Sequence, residues 1–263
     1  MNIVDILLAA AVIGILGLLI GVLLGFASEK FKVEVNELEI VVRELLPGIN
    51  CGACGYPGCD GMANAIATGE APVNGCPVGG VPVATSIAEV MGVESADVEK
   101  QVAFVMCAGT KERAKDKYNY HGIEDCNKAY EVPGRGPKEC TYGCVGYGSC
   151  VKACNFDAIH IIDGVAVVDK EKCVSCEKCV PACPKSLIEM VPYKARNLVQ
   201  CHSNDKGKDT RLKCTIGCIA CKLCEKACAF DAIHVVDNLA HIDYSKCTNC
   251  NKCAEVCPVK VIL

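Results

Sequence analysis

Tryptophan is absent from the 263 residues, and only five phenylalanines and eight tyrosines are present. A large aromatic core is therefore not expected. The formal net charge is −4, with no basic arm and no interleaving of aromatic and basic residues, so nothing marks a nucleic-acid partner. No G-x-G-x-x-G follows a strand pattern, and no G-x-x-x-x-G-K-[ST] occurs, so the chain carries no nucleotide fingerprint. No Ser/His/Asp arrangement and no H-E-x-x-H stands out.

What is abundant is cysteine, 24 in all. In a short secreted chain that density would suggest a disulfide scaffold. This chain is not short, and most of its thiols fall in tight C-x2-C runs, which in a reducing compartment point to metal. The grouping predicts several small units, each stapled by a cofactor rather than by one large hydrophobic core.

From Ile6 to Ala27 no side chain is polar or charged, a run of 22 residues. About 20 residues span a bilayer core as a helix. A signal peptide would want a basic start and a small-residue cleavage site. The chain instead begins MNIVD, so an uncleaved anchor is expected. Lys30 and Lys32 follow the run and no basic residue precedes it, which orients the bulk of the chain to the cytoplasm. Gly17, Gly21 and Gly25 share one helix face and would allow close packing on another membrane helix.

Residues 51–59 read CGACGYPGC, and with Cys76 they supply four thiols: Cys51, Cys54, Cys59 and Cys76. Thiolates suit iron–sulfur clusters and zinc alike. The glycines clear space for backbone N–H groups to approach inorganic sulfide and permit turns with positive φ. A four-thiolate zinc knuckle is the alternative at this unit.

An internal repeat follows. Residues 154–184 and 228–258 align without a gap at an offset of 74, with 16 of 31 positions identical. In each copy IHIIDGVAVVD or IHVVDNLAHID reads as a β-hairpin turned at Asp163-Gly164 or Asp237-Asn238. Each hairpin leads into C-x2-C-x2-C-x3-C-P, the run of bacterial ferredoxins, whose fourth cysteine ligates the other cluster of the pair. In the second copy one set is then Cys218, Cys221, Cys224 and Cys257, and its partner is Cys228, Cys247, Cys250 and Cys253. In the first copy one set is Cys154, Cys173, Cys176 and Cys179. The other retains Cys144, Cys150 and Cys183, but Tyr147 stands where the repeat requires a thiol. Cys140, four residues before Cys144, is the nearest substitute. About five [4Fe–4S] clusters are expected from this spacing. Cys107, Cys126, Cys201 and Cys214 are left over, with buried inert thiols as the plain reading and Cys214 as a surplus or alternative ligand.

Between the copies, residues 185–213 carry seven basic residues against three acidic ones. They read either as a solvated linker or as a surface that steers an acidic partner. His160 and His234 occupy matching hairpin positions, which strand packing explains as well as redox tuning would, so no role is assigned to them.

The expected fold class is α+β: a transmembrane anchor at 1–28, a single-cluster domain at 29–80 and a helical connecting segment at 81–138. A first ferredoxin domain at 139–192, a basic linker at 193–212 and a second ferredoxin domain at 213–263 complete it. An N-terminal anchor, then CGACGYPGC and GEAPVNGCPVGG, then two ferredoxin repeats, resembles the B subunits of Rnf complexes of the clostridial type. Such complexes oxidise reduced ferredoxin, reduce NAD+ and drive Na+ or H+ across the cytoplasmic membrane. The resemblance implies that this chain relays electrons from soluble ferredoxin, while other subunits bind flavin and NAD and form the channel. It also implies that the thiols of Cys51, Cys54, Cys59 and Cys76 and of the ferredoxin runs are cluster ligands. The alternatives are a membrane-anchored polyferredoxin of another oxidoreductase, such as a hydrogenase, and a zinc-stapled scaffold that carries no electrons.

Overall fold

The computed structural model describes residues 3–31, 36–94 and 99–263, without the side chains of residues 4–10. Lys32, and those side chains within the apolar run, lie outside the described residues.

Helix α1 spans Ile3–Lys30. Its stretch Ala11–Lys30 has a mean hydropathy of 2.5, is long and apolar enough to cross a membrane, and is nowhere buried inside the protein. Around Gly17, Gly21 and Gly25 nothing lies within 4 Å of an added Cβ, so that face is open.

A small helical unit follows: α2 (Glu37–Leu45), α3 (Gly58–Ala67) and α4 (Gly80–Met91). Asn36 caps α2 by accepting the Leu38 N–H at 3.0 Å, satisfying one of the donors that a helix start leaves free. Gly92, at φ +67°, ends α4 in the left-handed conformation that suits glycine. Val42, Met62, Ile66 and Ile87 are fully buried between the three helices. Each such side chain is worth about 1.5–3 kcal/mol of burial, so four of them make only a modest core.

The first ferredoxin unit is larger than its cysteine run. It contains β1 (Gln101–Val105), α5 (Cys126–Glu131), α6 (Ser149–Ala153), the hairpin β2 (Ile159–Ile162) and β3 (Val165–Val168), α7 (Cys179–Ala182) and β4 (Ile188–Pro192). Strand β1 pairs antiparallel with β4, from Gln101 opposite Pro192 to Val105 opposite Ile188. So the 81–138 stretch is not purely a helical connector: it supplies a strand whose Val102 is fully buried with Val191 and Leu187. The hairpin turn holds Asp163 and Gly164 at φ +48° and +78°. Positive φ at both central positions is the tight turn that matches strand twist.

The second unit repeats this with α8 (Gly207–Lys213), α9 (Leu223–Ala227), β5 (Ile233–Val236), β6 (Leu239–Ile242) and α10 (Lys252–Glu255). Val199 bridges antiparallel to Ile262, in the manner of β1 with β4. Residues 193–212 are therefore not a solvated linker: Asn197, Leu198, Ser203 and Thr210 are all buried there. At the start of α8 the backbone of Gly207 lies so close to Ile219 that an added Cβ would strike the Ile219 carbonyl.

Candidate metal centres

The cysteines sit where short helices and turns end against these thin cores. In the N-terminal unit Gly52, Gly55 and Gly58 have φ of +74°, +84° and +89°. That chain path carries Cys51 and Cys54 round to α3, where Cys59 is buried. Asn50 Oδ1 accepts the Cys59 N–H at 2.7 Å, and a Cβ on Gly58 would come within 3.0 Å of that oxygen. Cys76 returns to the same place and accepts the Gly79 N–H at 3.4 Å. Burial raises the Cys76 thiol above its ordinary value, N–H donors from Gly79 and Val78 oppose this, and the neighbouring Cys54 and Cys59 add to it. Cys51 lies toward the first ferredoxin unit, where its charge is felt by Cys176.

In the first ferredoxin unit burial pushes the Cys179 thiol up to about 12, with Cys173, Cys176 and Cys154 adding to the shift. Those four are the set that the spacing groups. Cys173 Sγ accepts the N–H of Ala103 on β1 at 3.4 Å, so the strand from far upstream also covers this site.

A void in the same unit is lined by Cys126, Cys144, Cys150 and Cys183. Burial pushes Cys150 up to about 12, and Cys144, Cys126 and Cys183 push the same way. Cys140, which spacing put in this set, lines a different void with Cys107, Cys201 and Cys214. The structure positions Cys126 firmly. Asp125 caps α5 by accepting the Asn127 N–H at 2.9 Å, and the Cys126 N–H donates to Ser149 Oγ at 2.9 Å. Ser149 Oγ in turn donates to Asp125 at 3.0 Å. Burial opposes ionisation of Asp125, yet hydrogen bonds from Ser149, Asn127 and Lys128 hold its carboxyl below the usual range. No spacing rule reaches Cys126, because the fold alone brings it beside Cys150.

In the second unit Cys228, Cys247, Cys250 and Cys253 line one void. Burial pushes Cys224 up to about 11, the Glu225 backbone opposes, and Cys218, Cys221 and Cys257 add to the shift. Both groupings are the ones that the ferredoxin run implies. Cys221 and Cys250 are solvent-exposed, unlike every thiol of the first unit. His160 and His234 take equivalent places, each hydrogen-bonded to a backbone carbonyl, Asp157 at 3.1 Å or Asp231 at 3.2 Å.

Among the described residues, no group of three or more His, Cys, Asp or Glu side chains is close enough to hold a single metal ion. Four thiolates on zinc sit about 2.3 Å from one centre. Thiols that instead surround a void fit a cofactor larger than one ion, and thiolate-only sets with N–H donors to sulfur suit an iron–sulfur cluster.

Comparison with known proteins agrees. A family model described as "Putative Fe-S cluster" matches residues 46–78. Models described as "4Fe-4S binding domain" match residues 166–189, 240–263 and 217–231. The protein is thus an α+β chain with an Fe–S unit and two ferredoxin-type domains, built for multiple [4Fe–4S] clusters. It is 48% identical over 258 residues to the B subunit of the Na(+)-translocating ferredoxin:NAD(+) oxidoreductase complex of Acetobacterium woodii, covering 98% of this chain and 77% of that one. It is 45% identical to the B subunit of the ion-translocating oxidoreductase complex of Methanosarcina acetivorans, over 96% of both chains. It is 39% identical to the B subunit of the proton-translocating ferredoxin:NAD(+) oxidoreductase complex of Clostridium ljungdahlii, over 98% of this chain and 92% of that one. With 39–48% identity to these B subunits over nearly its whole length, the chain belongs to the B-subunit family of Rnf-type ion-translocating oxidoreductase complexes.

Proposed function

We propose that this chain is the electron-relaying subunit of an ion-translocating ferredoxin:NAD+ oxidoreductase, held in the membrane by α1 and reduced by a soluble ferredoxin. The observation that carries this is the succession of thiol sets along the chain, from the N-terminal unit that follows α1 to the second ferredoxin unit, where Cys221 and Cys250 are exposed. Five sets are assigned: Cys51, Cys54, Cys59 and Cys76; Cys154, Cys173, Cys176 and Cys179; Cys126, Cys144, Cys150 and Cys183; Cys218, Cys221, Cys224 and Cys257; Cys228, Cys247, Cys250 and Cys253. Bound there, [4Fe–4S] clusters supply single-electron uptake and release. The chain's own part is to hold the thiolates, to direct N–H donors at sulfur and to exclude water from the first unit, which together set potential. NAD and flavin chemistry is assigned to partner subunits, because no nucleotide fingerprint occurs here. Lys30 at the end of α1 supports a cytoplasmic location for the cluster-bearing part. Full-length similarity that includes residues 46–78 favours this reading over a polyferredoxin of a different oxidoreductase.

The soluble ferredoxin is expected to dock beside α8. Lys206, Lys208 and Arg211 are exposed. Gly207, between Lys206 and Lys208, packs against Ile219, two residues before exposed Cys221. Lys213 is excluded because Asp205 already pairs with it at 2.7 Å. Lys206→Glu, Lys208→Glu and Arg211→Glu together should slow reduction by ferredoxin about tenfold or more at low salt, because steering raises on-rates by that order. The difference should shrink as salt screens it. A stopped-flow rate unchanged at low salt would remove this face from the docking site.

A further inference from the structure

Three of the four thiols that ferredoxin spacing leaves over do not lie apart from one another. Cys107, Cys201 and Cys214 meet Cys140 around one void at the joint between the two ferredoxin units. We propose that Cys107, Cys140, Cys201 and Cys214 hold a further [4Fe–4S] cluster that links the two units. The inference rests on the reading that the other sets carry clusters.

The four thiols come as two equivalent pairs. Cys140 and Cys214 each open a C-T-x-G-C segment, ending at Cys144 or Cys218, at the repeat offset of 74. Cys107 follows β1, and Cys201 follows Val199, whose bridge to Ile262 is the counterpart of the β1–β4 pairing. The Cys144 N–H donates to Cys107 Sγ at 3.4 Å, and the Cys218 N–H donates to Cys201 Sγ at 3.3 Å. Each unit thus presents two thiols in the same way, and the two presentations face each other. A Cβ added to Gly109 would lie 3.6 Å from both Cys107 Sγ and Cys214 Sγ, so thiols of different units converge on one point. Burial raises Cys140, and Cys107 and Cys214 add to the shift. Burial pushes Cys201 up to about 12, with Cys218 and Cys140 adding.

The backbone clamps the joint. Ala108 N–H donates to Gln200 O at 3.1 Å, Lys115 N–H donates to Lys213 O at 3.0 Å, and Ala114 bridges to Cys214. A buried cation faces the same void. Lys138 is 5% exposed, and its Nζ donates only to carbonyls, Gly109 at 2.6 Å and Gly164 at 3.1 Å. No carboxylate pairs with it among the described residues. A lysine is rarely buried without a counter-charge. Its positive charge favours the thiolates of Cys214 and Cys144, and an anionic thiolate-ligated cluster is the missing counter-charge. All four cysteines are free rather than paired in disulfides. Inert packing does not explain why four segments each send a thiol to one space. The location gives the site a role: Cys107 adjoins the set containing Cys144, and Cys201 adjoins the set containing Cys218. A cluster held by these four thiols would lie between the two units and would supply one-electron transfer between them.

The test uses the full chain, made without oxygen and purified in detergent, with iron, acid-labile sulfide and Mössbauer spectra measured per chain. The expected wild-type content is about 24 irons, from six four-iron clusters. Cys107→Ala and Cys201→Ala, in different units, should each remove about four irons and leave the rest of the spectrum in place. A wild-type content of about 20 irons would overturn the proposal without any variant, and so would variants with the wild-type content. A chain that holds zinc and no iron would instead overturn the electron-relay reading itself.

Discussion

Removing iron from the intact chain is expected to collapse both ferredoxin units while leaving α1 helical. The reason lies in what the cores contain. In the first unit Cys144, Cys150, Cys173 and Cys179 are themselves members of the buried cluster around Val102, Leu187 and Val191. In the second, Cys201, Cys218, Cys224 and Cys253 take the same place beside Ile233 and Leu239. The sheets have two strands each and the helices between them are four to seven residues long. Isolated elements of that size are marginal in water. Burial supplies too little to order them, so ligation is the larger part of their folding free energy. Circular dichroism during anaerobic chelation should lose the hairpin signal, and amides of β2, β3, β5 and β6 should lose exchange protection. Protection that survived complete removal of iron would mean that the thiols are not structural.

The second large effect is expected from Cys224→Ala. Cys224 is buried in α9. Cys228, of the adjacent set, ends the same helix, and its N–H donates to the Glu225 carbonyl at 3.4 Å. Losing the first ligand therefore loosens the frame of the second. Reduction by soluble ferredoxin should fall by more than about 100-fold, since even outer partners of metal ligands cost 10–100-fold. About four irons or more should be lost, and the irons of the Cys51–Cys76 unit should remain. Reduction at the wild-type rate would show that electrons are taken up elsewhere in the chain.

Much of this was legible in the residues, and the reasons differ from place to place. The hairpins could be read because Asp163-Gly164 and Asp237-Asn238 are local turn signals between alternating strands, and φ is positive at all four positions. The grouping of thiols in the second unit could be read because three of each four lie within seven residues of one another. Two things could not be read locally. Strand β1 pairs with β4 across more than eighty residues, so its role depends on tertiary packing rather than on its own pattern. Cys126 reaches Cys150 only because Asp125 and Ser149 tie α5 to the start of α6. The basic stretch misled in the other direction: its charges read as a linker, yet Thr210 and Ser203 within it are buried and Cys201 lines the joint. The shared C-T-x-G-C segments at Cys140 and Cys214 were the one sequence signal that pointed to the joint.

On the proposed function, this chain relays electrons from ferredoxin through thiolate-held clusters. That relay is tested most directly by mixing the full, anaerobically purified chain with reduced soluble ferredoxin in a stopped-flow cell. Rapid bleaching of the iron–sulfur absorbance is expected, at a rate proportional to ferredoxin concentration and slowed by salt. A chain whose metal is zinc, or whose iron–sulfur absorbance stays unchanged under ferredoxin, would contradict it.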